Sequence, residues 1–253
     1  MGPLLQQGHL QLNGSRADRN LVRRDVTSFV RRSTRMRPQQ RRAWERHYST
    51  FVLPVPRAET TTSVQPSVSV DLEAAFGRAA PLIVEIGPGT GDSLVPMAKA
   101  RPSANILAFE VYQPAIASTL TQLAANEVRN VRIVEADAVA GFRFLLPHAT
   151  VDCVWLFFPD PWQKARHHKR RLLTTGFADL VASRMRRRGV WRLATDWEDY
   201  AGQIRQVLDD HPAFANEHPG GWAPRWEARP MTRFEKRGLA AGRHIFDLAY
   251  RRV

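Results

Sequence analysis

The sequence predicts an α/β fold, a doubly wound and mostly parallel sheet with helices on both faces. Short apolar runs alternate with amphipathic stretches from Pro81 onward. The runs are continuous rather than alternating, which suits strands covered on both faces. Strand–helix–strand order then implies right-handed crossovers between parallel neighbours. In chain order, PLIVEIG (81–87) reads as the first strand and 92–100 as a helix. NILAFEV (105–111) is the second strand, followed by a helix over 114–126. VRIVEAD (131–137), VDCVWLFF (151–158) and GVWRLATD (189–196) are the third, fourth and fifth, with a helix over 197–208 after the last. HIFDLAYRRV (244–253) is a terminal strand, antiparallel at one end of the sheet.

Residues 1–50 differ from the rest. They hold eleven Arg against Asp18, Asp25 and Glu45, which is +8 of the total charge of +13. Hydrophobic periodicity is weak there, so 1–50 is expected to be an Arg-rich arm, largely mobile, with local order around Phe29, Trp44 and Tyr48. The Pro/Ser/Thr-rich segment 54–70 reads as a loop, and 51–253 as one domain.

Composition narrows the class. With 253 residues, 43% hydrophobic and 24% charged, the chain can bury a proper core. Its 37 Lys+Arg against 24 Asp+Glu favour a polyanionic partner, nucleic acid or an acidic membrane surface, although Arg-rich codon usage gives the same excess. The single Cys153 excludes an intrachain disulfide and a Cys-based zinc site; within VDCVWLFF it reads as a small buried hydrophobe. No run reaches the ~18 apolar residues of a membrane span. The first residues lack a secretory apolar segment, and MGPLLQ fails the myristoylation pattern at Gln6. A cytoplasmic protein with no membrane partner is therefore expected.

Ligands of open parallel sheets sit at the carboxyl ends of the strands. Glu85 lies in the first strand, Glu110 ends the second and Asp137 ends the third, around the turn Gly87-Pro88-Gly89-Thr90-Gly91. The glycines permit positive φ and close approach of a ligand to the backbone. A dinucleotide site also uses a glycine-rich turn and a later acid, but here the last Gly of G-x-G-x-x-G is replaced by Asp92. A carboxylate at that helix end competes with a pyrophosphate for the positive dipole. A ligand without phosphate fits better, and S-adenosylmethionine qualifies, with a cationic methionine end and a ribose diol. Glu85 would orient the amino-acid end through the turn at Gly87 and Gly89, Glu110 would accept the ribose hydroxyls, and Asp137 the adenine amino group.

After the fourth strand comes FFPDPWQKARHHKRRL (157–172). Pro159 and Pro161 stiffen the backbone around Asp160 and fix a carboxylate at the cleft mouth. Trp162, Lys164, Arg166, Lys169, Arg170 and Arg171 follow, with His167 and His168 between them. Basic residues interleaved with an aromatic suit a phosphate-rich partner whose base must be held. No third ligand is spaced to join the two histidines, so no metal is expected.

EIGPGTG, FFPDPWQKARHHKRR, ATDWEDYA (194–201) and MTRFEKRG (231–238), in that order, resemble the tRNA (guanine-N7-)-methyltransferase family over roughly residues 30–253. The resemblance implies a seven-stranded class I methyltransferase domain (Rossmann-like) and methyl transfer from S-adenosylmethionine to guanine N7 in the variable loop of tRNA. It carries Glu85, Glu110, Asp137 and Asp160 to cofactor contacts and Asp160 also to the active site. It carries Lys164, Asp196, Thr232, Arg233, Phe234 and Glu235 to substrate binding, and Arg166, His167, His168, Lys169, Arg170 and Arg171 to RNA contact. Arg233 departs from the family, where Lys is more usual; charge survives but ammonium geometry does not. Two rivals stay open: a methyltransferase acting on another base atom or on protein, and a catalytically silent RNA-binding protein. Nothing in the sequence chooses between a monomer and a homodimer.

Overall fold

In the computed structural model, which describes residues 28–29, 34–58, 62–66 and 70–253, the apolar runs become one sheet. Its strands are β1 (Leu82–Ile86), β2 (Asn105–Glu110), β3 (Val131–Glu135), β4 (Val151–Phe157), β5 (Met185–Thr195), β6 (Phe214–Asn216) and β7 (Phe246–Arg252). The spatial order is β3-β2-β1-β4-β5-β7-β6. Neighbours from β3 to β5 are parallel, while β7 runs antiparallel to both β5 and β6. The helices are α1 (Pro38–Phe51), α2 (Leu72–Phe76), α3 (Leu94–Lys99), α4 (Gln113–Ala125), α5 (Ala138–Phe144), α6 (Thr175–Arg184), α7 (Glu198–Asp209) and α8 (Arg233–Ala240).

Strand alternation divides the core in two. Leu82, Val84 and Ile86 of β1 face one cluster with Phe142 of α5, Phe177 of α6 and Tyr200 of α7. Ile83 faces the other, with Phe51 of α1, Leu94 of α3 and Ile116 of α4. Every residue of β1 and β2 is buried, which is why these strands read as continuous apolar runs. Side-chain caps set several helix starts: Asp137 accepts from Val139 and Ala140 before α5, and Thr174 from Phe177 before α6.

The expected arm is corrected over its last quarter. Residues 38–50, read as part of a largely mobile segment, belong to a helix docked on the domain. Trp44, Tyr48 and Phe51 recur at i, i+4 and i+7 and pack on the second core cluster, giving α1 a buried stripe. The arginines between them hide that stripe from a hydropathy scan. Residues 1–27, to which the same expectation of mobility applies, lie outside the described residues. The described residues of the 54–70 segment (54–58, 62–66 and 70) hold no helix or strand, as expected, yet Val55 and Val64 enter the first core cluster.

Because β2 and β4 flank β1 on opposite sides, the sheet has its topological switch point at the carboxyl end of β1. The glycine turn leaves the sheet there.

Candidate active site

Gly87 and Gly89 adopt φ of +67° and +60°, and a Cβ at either would meet only open space. This bare backbone forms one wall of a cleft of about 300 Å³. Glu110, Asp137 and Asp160 all line the same cleft, joined by Phe158 and by Ser28 and Phe29 from upstream of α1. The structure thus brings together the carboxyl ends of β1, β2, β3 and β4, as the sequence expects.

Each acid is held differently. Glu110 accepts from the backbone N–H of Gly89 at 3.0 Å, of Val111 at 2.8 Å and of Tyr112 at 2.9 Å, so its carboxylate is fixed and ties the glycine turn to β2. Asp137 caps α5 through Oδ1. Glu85 is not on the cleft wall. It is buried behind the turn, with Oε1 accepting from Ser93 Oγ at 3.0 Å and Oε2 meeting no donor. Desolvation, reinforced by the charge of Glu110 and opposed by the Ser93 hydrogen bond, pushes its pKa up to about 8. Asp160 makes no hydrogen bond or ion pair among the described residues, and it faces both the main cleft and an adjoining hollow of about 260 Å³ lined by Trp162, Lys164 and His167.

The segment after Asp160 is a 3-10 turn over Ala165–Arg170, with Arg166, Lys169 and Arg170 exposed. Trp162 is pinned at its base: its Nε1 donates to the Ser28 carbonyl at 3.0 Å, and Arg170 lies over its ring at 4.8 Å. His167 meets the Trp162 ring edge-on. Desolvation and the cations of Arg166, Arg170, Lys164 and Lys169 lower its pKa, so it is neutral at pH 7. Cys153 is a thiol at neutral pH, its pKa raised to about 12 by burial, and takes no part in the cleft.

A family model described as "Putative methyltransferase" matches residues 79–248. A protein of Cutibacterium acnes named tRNA (guanine-N(7)-)-methyltransferase is 50% identical over 242 residues, covering 95% of this chain and 88% of its own. A protein of the same name from Nocardioides sp. is 45% identical over 229 residues, covering 90% of this chain and 88% of its own. The chain belongs to the tRNA (guanine-N(7)-)-methyltransferase family. The fold also matches a solved structure, the 16S rRNA methyltransferase KamB, with a TM-score of 0.52 at 14% identity over 72% of this chain and 93% of that one. The sheet carries one reversed strand, β7, between β5 and β6.

On the substrate side of this tRNA (guanine-N(7)-)-methyltransferase family member, the structure separates residues that the motifs group together. Lys164, Arg166, Lys169 and Arg170 are exposed, as RNA contact requires. Arg171 is not. Its guanidinium is buried and donates to the Pro161 carbonyl, Gln203 and Asp199, lies against the Tyr200 ring and abuts His168. The reading of Arg171 as an RNA contact is therefore corrected: it staples the Asp160 loop to α7. Glu235 is corrected in the same way. It is fully buried, paired with Arg229 at 2.7 Å and Arg225 at 3.0 Å, and Arg229 in turn pairs with Asp247 at 3.0 Å. Thr232 caps α8 by accepting from Glu235 N–H, and Asp196 is buried against Arg243.

Arg233 and Phe234 do face outward. Arg233 pairs with Asp92 at 3.1 Å, linking α8 to the glycine turn, and Phe234 packs against Phe158 of the cleft wall at 5.2 Å. The sequence reading missed Arg229, because a buried arginine leaves no trace in a composition already rich in that residue. It also missed that Ser28 and Phe29 reach the cleft. Among the described residues no His/Cys/Asp/Glu group is arranged to hold a metal, and no helix is long and apolar enough to cross a membrane.

Proposed function

We propose that the chain transfers a methyl group from S-adenosylmethionine to N7 of a guanine in tRNA. The observation that carries this is the shared cleft: a bare glycine backbone, Glu110, Asp137 and Asp160, which has no hydrogen bond or ion pair among the described residues, line one space beside an exposed cationic segment. The names and identities of the relatives supply the substrate. Within tRNA, family resemblance assigns the variable loop.

The residues present fit the cofactor. The buried Glu85 Oε2 lacks a donor, which an ammonium group behind the turn would satisfy. Gly87 and Gly89 would let the ligand lie on the backbone, Glu110 would take the ribose hydroxyls, and Asp137 the adenine amino group. When bound, S-adenosylmethionine supplies a methyl group on a positively charged sulfur.

Guanine N7 carries a free lone pair on its major-groove edge. No proton has to leave before it attacks, so positioning and electrostatics carry the catalysis rather than a general base. Asp160, on the cleft wall, has the carboxylate for this role: it stabilises the positive charge that the guanine ring acquires, or accepts from guanine N1–H and the amino group while the base is held. Asp196 is already engaged by Arg243, which leaves Asp160 as the carboxylate available to the base. Lys164, Arg166, Lys169 and Arg170 hold the RNA backbone next to that point. The setting is the cytoplasm, where tRNA is the available polyanion.

The test is one assay with transcribed tRNA and a labelled methyl donor, followed by nucleoside mapping. N7-methylguanosine is the expected product. Methylation at another base atom would give the reaction to the rival methyltransferase reading. Retained tRNA binding with no uptake of S-adenosylmethionine would give it to the silent RNA-binding one.

A further inference from the structure

Outside the cleft, a cationic groove runs between α1 and α4. Arg37, Arg42, Arg46 and His47 line one side, and Ser118 and Thr121 the other, around about 540 Å³ of open space. Arg37, Arg42 and Arg46 are exposed, and none has an ion pair among the described residues. Arg42 and Arg46 stand one turn apart on the same face, about 6 Å along the axis. An exposed row of unpaired arginines repels itself and gains nothing for the fold, since α1 is already held by Trp44, Tyr48 and Phe51.

The groove is also placed with respect to the cleft. At one end Gln40 Nε2 donates to the Pro114 carbonyl and Ser118 Oγ at the start of α4. Towards the other, Gln122 Nε2 donates to the carbonyl of Thr90 in the glycine turn at 2.6 Å. Asp92 of that turn carries the exposed Arg233. The groove is thereby tied through α4 to the glycine turn on the β2 side of the switch point, while Lys164 to Arg170 follow β4. A chain of phosphates crossing the cleft would meet positive charge on both flanks.

We infer that the α1–α4 groove binds the sugar–phosphate backbone of the RNA substrate, with Arg42 and Arg46 pairing to phosphates. Arginine forks are usual donors to phosphate oxygens, and they position the nucleic acid without reading its sequence. The inference rests on the proposed tRNA substrate and adds a second point of attachment, away from the residues that handle the base.

The test uses the full chain, Arg42→Gln/Arg46→Gln, and transcribed tRNA. Each neutralised phosphate contributes about 0.7 to 0.9 to the slope of log affinity against log salt, so losing two should flatten that slope by about 1.4 to 1.8. The KM for tRNA should rise at least fivefold, and S-adenosylmethionine affinity by calorimetry should not change. Arg42→Lys/Arg46→Lys should restore most of the slope. Thr121→Glu, which leaves the arginines in place but sets a negative charge opposite them, should raise KM in the same direction. An unchanged slope and KM in both Arg42→Gln/Arg46→Gln and Thr121→Glu, with normal tRNA methylation, would overturn the groove and leave the proposed function standing. A wild-type protein that binds no tRNA would overturn both.

Discussion

Two carboxylates in the site differ in what surrounds them, and this separates their roles. Asp160 has no partner among the described residues and lines the cleft, so its charge is available to a substrate. Asp160→Asn keeps the size of the side chain and removes the charge. Turnover should fall by about 10²–10³-fold, the usual loss when one group aimed at developing charge is removed, while thermal stability and S-adenosylmethionine binding change little. Wild-type turnover in a folded Asp160→Asn protein would remove this residue from the mechanism. Glu85 is the opposite case. Buried with one oxygen unpartnered, it keeps its proton up to about pH 8, whereas in an unfolded chain it ionises near 4.5. Between those values the folded state binds the extra proton, so stability falls as pH rises through this window and levels off above it. Glu85→Gln should flatten that part of the stability–pH curve in urea titrations. If the ammonium end of the cofactor sits against Glu85, uptake near pH 7 should release a proton. Calorimetric enthalpies should then vary with the ionisation enthalpy of the buffer for the wild type and not for Glu85→Gln.

At the scale of elements, α8 owes its position to charge that never reaches solvent. Glu235, Arg229 and Asp247 form a buried chain linking α8 to the loop before it and to β7, and Arg225 closes it from outside. Removing one partner leaves a buried charge uncompensated, so Glu235→Ala should cost about 3–5 kcal/mol in urea denaturation, and Glu235→Gln less. If Glu235 instead touched RNA directly, Glu235→Gln would raise the KM for tRNA without loss of stability. The same contrast explains what was legible in the sequence. β1 and β2 were readable because both faces are buried and their composition says so. The glycine turn and the acids Glu110 and Asp137 were readable because each sits at the end of an apolar run whose limits the sequence shows. Arg171 was not, because in a run of five cations nothing local distinguishes the one that turns inward. What turns it is Asp199 and Gln203 on α7, some thirty residues away. Glu235 was misread for the same reason, since its partner Arg229 and the second acid Asp247 lie outside the motif. The helix α1 was hidden by its own arginines.

Across the whole molecule, the net charge of +13 is unevenly used. Arg171 and Arg229 contribute none of it: they are buried and paired, and the charges of Asp199 and of Glu235 and Asp247 cancel theirs. Exposed cations flank the cleft at Lys164, Arg166, Lys169 and Arg170 on one side and on α1 at the other. Counting these four with Arg42 and Arg46 gives six candidate phosphate contacts, and six contacts lose about a thousandfold in affinity between 50 and 200 mM salt. The affinity for tRNA should therefore fall steeply and linearly on a log–log plot, as measured by filter binding or anisotropy. Replacing Lys164, Arg166, Lys169 and Arg170 together by Gln should lower the slope by about 3, because four contacts at about 0.7–0.9 each are lost. Arg171→Gln should leave the slope unchanged, since a buried, already paired guanidinium releases no counterions from the RNA, and should instead show up as lost stability. A shallow slope in the wild type would mean that the exposed cations are merely solvated, and that recognition depends on the cleft alone.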